Sequence, residues 1–135
     1  MQMEEEASET EKDLTRSIIT EKDIRNIIHR VFPDGVILSR SLTITAAGKN
    51  LSIRLGYPDD KLKGLPLSTL TGDTLQQPEL LNLLKTGFFE DYSIDLCHRL
   101  GQKYACQVSG FYLGIIADLN DMIVLQFHNF TSFLP

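Results

Sequence analysis

The chain has 135 residues, 42 % of them hydrophobic, and a net charge of −5 at pH 7. One domain with a genuine apolar core is the simplest reading of that size, and no apolar run approaches the ~20 residues of a membrane span. Six acids in residues 1–13 against Lys12 already supply the whole net charge, so the other twelve acids and twelve bases cancel; the folded part has no bias toward nucleic acid or an anionic membrane.

Residues 1–13, "MQMEEEASETEKD", read as an acidic, disordered tail with too few apolar residues to offset the entropy of ordering. They lack the basic and apolar regions of a secretion signal, which predicts a cytoplasmic location. Cys97 and Cys106 are then expected as buried free thiols, with a disulfide the less favoured alternative. No CxxC or His/Cys spacing suggests a metal.

From residue 14 to 32 apolar side chains recur at helical spacing: Leu14, Ile18, Ile24, Ile27, Ile28 and Val31. Thr20 and Asp23 are placed to cap a restart, so the segment is one helix or two. Pro33 and the "PDG" turn end it. The apolar stripe needs a partner, either the domain's own sheet or the same helix of another copy. Glu21 and Arg25 interrupt strict heptads, and no long coiled coil is established.

Two β-rich runs follow, Val36–Ser39 and Leu42–Ala46, with a turn near Arg40 and Ser41. "KNLSIRLG" predicts a short helix stopped by Gly56, and "YPDDKLKG" a one-turn helix capped by Asp59 or Asp60 and stopped by Gly64. A third helix is expected at 78–86. Pro78 suits its first turn, Leu80, Leu81, Leu83 and Leu84 its buried side, and Gly87 its end. Tyr92, Ile94 and Leu96 then alternate with Asp91, Ser93 and Asp95 in a strand. Gly101 marks a hairpin turn. In the returning strand, Gly110 and Gly114 suggest a bulge or close approach. The last run, "MIVLQFHNF", is apolar enough for a central strand covered on both faces.

The order is helix, hairpin, three short helices and a three-stranded meander. It predicts an α+β domain, a five-stranded antiparallel sheet with short helices across one face and a flanking N-terminal helix. A chain leaving one sheet edge and returning at the other must cross the concave face, and short helices with glycine corners can follow that curve.

Over residues 33–131 this pattern resembles a PAS domain, the sensor module of histidine kinases and other signalling proteins. The resemblance rests on Leu55, Gly56, Tyr57, Asp59, Asp60, Leu62 and Gly64 as the Leu-Gly-Tyr, acidic-cap and Leu-x-Gly pattern. It also rests on the hairpin around Gly101 and on Asn129, Phe130 and Thr131 at the end of the last strand. Two positions depart from the family: Gly48 stands where an Asn is often found, and Asn129 where an Asp is.

The resemblance implies a regulatory sensor domain, most simply of a sensory histidine kinase, that binds a small ligand or mediates dimerisation. Residues 132–135 would begin a linker to an output domain absent from this chain. Catalysis by a parent histidine kinase or cyclase would lie outside these residues. A homodimer is implied through the flanking helix, with Leu14, Ile18, Ile24, Ile28 and Val31 at the interface. Inward-pointing residues expected to line a ligand pocket are Leu80, Leu84, Tyr92, Ile94, Leu96, Cys106, Val108, Leu125 and Phe127; the alternative is that they fill a closed core. Haem is disfavoured because "PELLNLLKT" offers no axial ligand, and flavin because both cysteines lie in strand-like runs; the domain holds an unknown cofactor or none. His29, His98 and His128 are expected to be structural. A ligand-free interaction module is the alternative function. A small enzyme using Cys97, Cys106, His98 or His128 is less favoured, since no P-loop, G-x-S-x-G or HExxH motif is present.

Overall fold

A computed structural model describes residues 21–58, 61–113 and 122–132. The acidic tail, Leu14, Ile18, the Asp59–Asp60 cap, Gly114 and the chain end at 133–135 lie outside the described residues.

Helix α1 (Glu21–Val31) places Ile24 and Ile28 on one side and ends where Phe32 donates to the Ile28 carbonyl. Strand β1 (Gly35–Leu38) follows after a turn closed by the Gly35 N–H on Phe32 O. Strand β2 (Ile44–Ala47) pairs with it antiparallel, and helix α2 (Lys49–Leu55) leaves the sheet at once. A single helical turn, α3 (Ser68–Thr71), and helix α4 (Gln77–Leu83, with Pro78 in its first turn) lead through a 3₁₀ turn, Leu84–Thr86, to the meander. The meander is β3 (Phe88–Cys97), β4 (Lys103–Leu113) and β5 (Met122–Ser132).

The sheet order is β2-β1-β5-β4-β3, and every neighbouring pair is antiparallel. The chain therefore leaves at one edge, β2, and returns at the other, β3, as the element order predicts. Strand β5 is central. Its Ile123, Leu125 and Phe127 join the core under the short helices, while Val124 joins a second cluster on the opposite face. That second cluster is Ile24, Ile28, Ile37, Ala46 and Val124, with Phe32 tilted against Phe111 at a ring distance of 5.7 Å. Helix α1 thus covers the outer face of its own sheet.

Three local features differ from expectation. The described part of "YPDDKLKG" is a turn and not a helix. Its backbone bonds go to the edge strand instead: Gly64 N–H to Ile44 O, Ile44 N–H to Leu65 O and Leu67 N–H to Leu42 O, with a bridge between Thr43 and Pro66. This run shields the β2 edge from stray pairing. At the other edge, Thr74 Oγ1 accepts the Asp95 N–H at 3.2 Å and lies 2.9 Å from Asp95 O. Leu81 is the second difference, for it faces solvent while Leu80 and Leu84, four apart, share the buried stripe. The third is the pair of bulges that break strict alternation: Asp91 and Asn129 sit at φ 58° and 55°, so Phe89 and Tyr92, three residues apart, both pack on the inner side.

Gly110 does mark a close approach, since a Cβ there would stand 2.6 Å from Phe89 Cε1 and 2.7 Å from Leu125 Cδ2. Gly48 is explained the same way. A Cβ at this helix-start position would overlap the carbonyl oxygens of Pro33 and Phe32, so an Asn has no room.

Candidate functional site

The sequence places the expected pocket on the concave face, and the fold does bring its residues together there. Leu80 and Leu84 descend from α4 and the following 3₁₀ turn. Ile94 and Leu96 rise from β3, Cys106 and Val108 from β4, Leu125 and Phe127 from β5. All eight are buried, and half-buried Tyr92 packs against them. The same cluster takes in Leu51 and Leu55 of α2 and Leu70 and Leu75 around α3. These side chains interlock as one apolar core, each worth roughly 1.5–3 kcal/mol on burial.

Ile94 and Cys106 also border a groove of about 380 Å³ shared with Thr74, Ser93, Asp95, Ala105, Gln107, Asn129 and Thr131. The Cys106 thiol is pushed up from 9.0 to about 12, first by burial and then by the nearby Asp95 carboxylate, with Arg54 opposing. Such a sulfur stays protonated and is a poor nucleophile. Both cysteines are free and lie in strands; Cys106 is buried as expected, whereas Cys97, last in β3 beside the hairpin turn, is only half-buried.

The histidines are scattered. His98 Nδ1 accepts the Leu100 N–H at 3.0 Å, and its ring rests against Gly56. His128 Nε2 lies 2.8 Å from Asp91 Oδ1, and Ser109 Oγ accepts the Asp91 N–H at 3.1 Å. His29 is exposed on α1. Among the described residues, no group of three His, Cys, Asp or Glu side chains is arranged to hold a metal, and no helix is long and apolar enough to cross a membrane.

Of the helix residues expected at a dimer interface, Ile24 and Ile28 are buried against the domain's own sheet, whereas Val31 is 57 % exposed.

Two arrangements escape the sequence reading. Arg54 of α2 stands 3.9 Å above the Phe130 ring and 3.9 Å from Asp34 Oδ1, linking the segments that enter and leave the sheet. A second cavity, of about 340 Å³, is lined by Arg25, His29, Ala47, Lys49, Ser52, Leu62 and Lys63. Only the i, i+4 spacing of Arg25 and His29 hints at it in the sequence; the rest comes from distant segments.

No protein-family model matches the sequence, and no curated protein is similar to it. Solved structures do match. A domain of a sensory box sensor histidine kinase/response regulator from Geobacter sulfurreducens aligns with a TM-score of 0.61 and 14 % identity, covering 85 % of this chain and 99 % of that one. The PAS domain of an HTR-like protein from Haloarcula marismortui aligns at 0.57 and 15 % identity, over 79 % and 94 %. A LOV protein from Rhodobacter sphaeroides aligns at 0.63 and 17 % identity, over 79 % of this chain and 64 % of that one. With the strand order, the antiparallel pairing and the short helices laid across the concave face, these likenesses establish that the chain is built on the PAS fold.

Proposed function

We propose that this chain is the regulatory sensor domain of a signal-transduction protein, of the kind found in sensory histidine kinases, acting on an output domain outside these residues. The observation that carries the reading is the fold itself, which aligns nearly end to end with a domain of a sensor histidine kinase/response regulator. Regulation requires two arrangements that a ligand or partner binds unequally, and a coupling of about 1–3 kcal/mol is ordinary.

The filled interior favours regulation through association over a large ready-made ligand site, since all nine inward residues already pack against one another. On this reading two copies pair through the N-terminal flank, with Leu14, Ile18 and exposed Val31 as apolar contacts, while Ile24 and Ile28 hold the helix to its own sheet. The domain works in the cytoplasm and performs no catalysis. Its buried thiol is held protonated, and its histidines have no nucleophile beside them among the contacts described.

Native mass spectrometry of the purified chain, together with deletion of residues 33–131 from the parent protein, tests the proposal. A dimer or a retained small molecule, with output freed from control by the deletion, supports it. An empty monomer at micromolar concentration, with output unchanged by the deletion, overturns it.

A further inference from the structure

The described lining of the cavity between α1 and the β2–α2 corner has a one-sided chemistry. Its wall holds Arg25 and His29 from α1, Lys49 from the start of α2, and Lys63 from the turn that shields β2. The remaining lining is Ala47, Ser52 and Leu62, so every ionisable side chain in the described wall is basic. This contrasts with the folded part as a whole, where acids and bases balance. Lys63 already has a partner, so Arg25 and Lys49 supply the fixed positive charge and His29 adds ring nitrogens for hydrogen bonding. Three elements distant in sequence deliver these groups to one concavity of about 340 Å³. That volume is at the lower end of small-molecule sites.

We infer that this cavity binds a small polyanion, a phosphorylated or multiply carboxylated metabolite. Arg25 suits a bidentate bond to a phosphate or carboxylate, and Lys49 acts as a compact positive charge opposite it. Leu62 and Ala47 offer a short apolar wall for a carbon skeleton, and Ser52 a hydroxyl. An anion seated here bonds α1 and the body of the domain together, so it binds the docked helix better than a released one and shifts the helix toward docking. The site stands on its own lining and is separate from the interior core. It holds whether or not the domain serves a kinase.

The test is titration of the full chain with pyrophosphate and, separately, with citrate at constant ionic strength, read by calorimetry and by amide NMR. Saturable binding at or below ~1 mM, with shifts confined to residues around Arg25, His29, Lys49, Ser52 and Lys63, is the expected result. The tighter of the two ligands identifies the head group. Arg25→Gln and Lys49→Gln should each weaken binding about tenfold, the loss of one charge-assisted contact, while Lys103→Gln in the β3–β4 hairpin changes nothing. Both altered residues are exposed, so the fold should survive, and unchanged NMR dispersion verifies it. Absence of saturation with either anion overturns the inference, as does an equal loss in all three variants, which would mark diffuse charge attraction.

Discussion

Gly56 and His98 meet with no room for a methyl group between them: a Cβ on Gly56 would stand 2.5 Å from both Cε1 and Nε2 of the imidazole. Around this contact the β3–β4 hairpin docks on the end of α2. The Arg99 N–H donates to Leu55 O at 2.9 Å and Arg99 Nε to Gly56 O at 2.7 Å. Gly56 also sits at φ 81°, the left-handed stop of the helix. Gly56→Ala should therefore lose about 2–3 kcal/mol in urea unfolding, the backbone strain plus displacement of a fixed ring. In a His98→Ala background the same change should lose only the strain, about 1 kcal/mol. Equal losses in both backgrounds would mean the imidazole gives way freely, and the contact does not fix the docking.

The interior makes a sharper prediction about two leucines where α4 runs into its 3₁₀ turn. Leu84 is buried within the core cluster, whereas Leu81 is 43 % exposed. Leu84→Ala should destabilise by about 2–5 kcal/mol and Leu81→Ala by less than about 0.5 kcal/mol. Leu96→Ala should match Leu84→Ala. A loss below about 1 kcal/mol at both core positions would show that the concave face is loosely filled and open to a ligand.

These contrasts mark what the sequence could and could not convey. The alternation of Ile94 and Leu96, the unbroken apolar run of β5 and the stop at Gly56 each follow from a local period or a backbone requirement, so the strands, the central place of β5 and core membership are legible. Leu81 departs from expectation because four leucines in five residues satisfy several helical phases, and only the position of the sheet selects one. The turn at 61–64 departs from it because its backbone groups bond to β2, which is nonlocal. The basic cavity and the Arg54 bridge stayed hidden for the same reason. Their members are 38 and 96 positions apart at the extremes, Arg25 to Lys63 and Asp34 to Phe130, and no periodicity connects them.

Cys106 should behave as an inert thiol. With its pKa pushed up to about 12 by burial and Asp95, it presents on the order of a thousandfold fewer thiolates than an ordinary cysteine at the same pH. Half-buried Cys97 should label with a thiol reagent at pH 8 well before Cys106 does. The sign for stability follows from the same shift. An unfolded Cys106 ionises near 9.0 and the folded one only near 12, so its contribution is whole below pH 9 and declines as pH rises toward 12. Cys106→Ala should flatten the stability loss seen by denaturant titration as pH rises from 9 toward 12. A variant with the same alkaline slope as the parent chain would assign that slope to other groups.

Arg54 joins the beginning and the end of the sheet. Its guanidinium lies 3.9 Å above the Phe130 ring near the end of β5, and its Nε is 3.9 Å from Asp34 Oδ1, just before β1. That oxygen is buried and accepts no hydrogen bond among the described residues. The pair is beyond hydrogen-bond length and partly exposed, so its charge attraction is modest, and the stacking on Phe130 adds a comparable amount. Arg54→Met should lose about 1–2 kcal/mol. Arg54→Lys should lose about half of that, keeping the charge but not the planar stack. Restoring neutrality with Asp34→Asn in the Arg54→Met background should recover part of the loss, because the uncompensated carboxylate is removed. The effect should be local as well. Amide exchange at 129–132 should quicken in Arg54→Met while 123–126, at the sheet centre, keeps its protection. Uniform quickening across β5 would instead make Arg54 a contributor to global stability only, with no particular hold on the end of that strand.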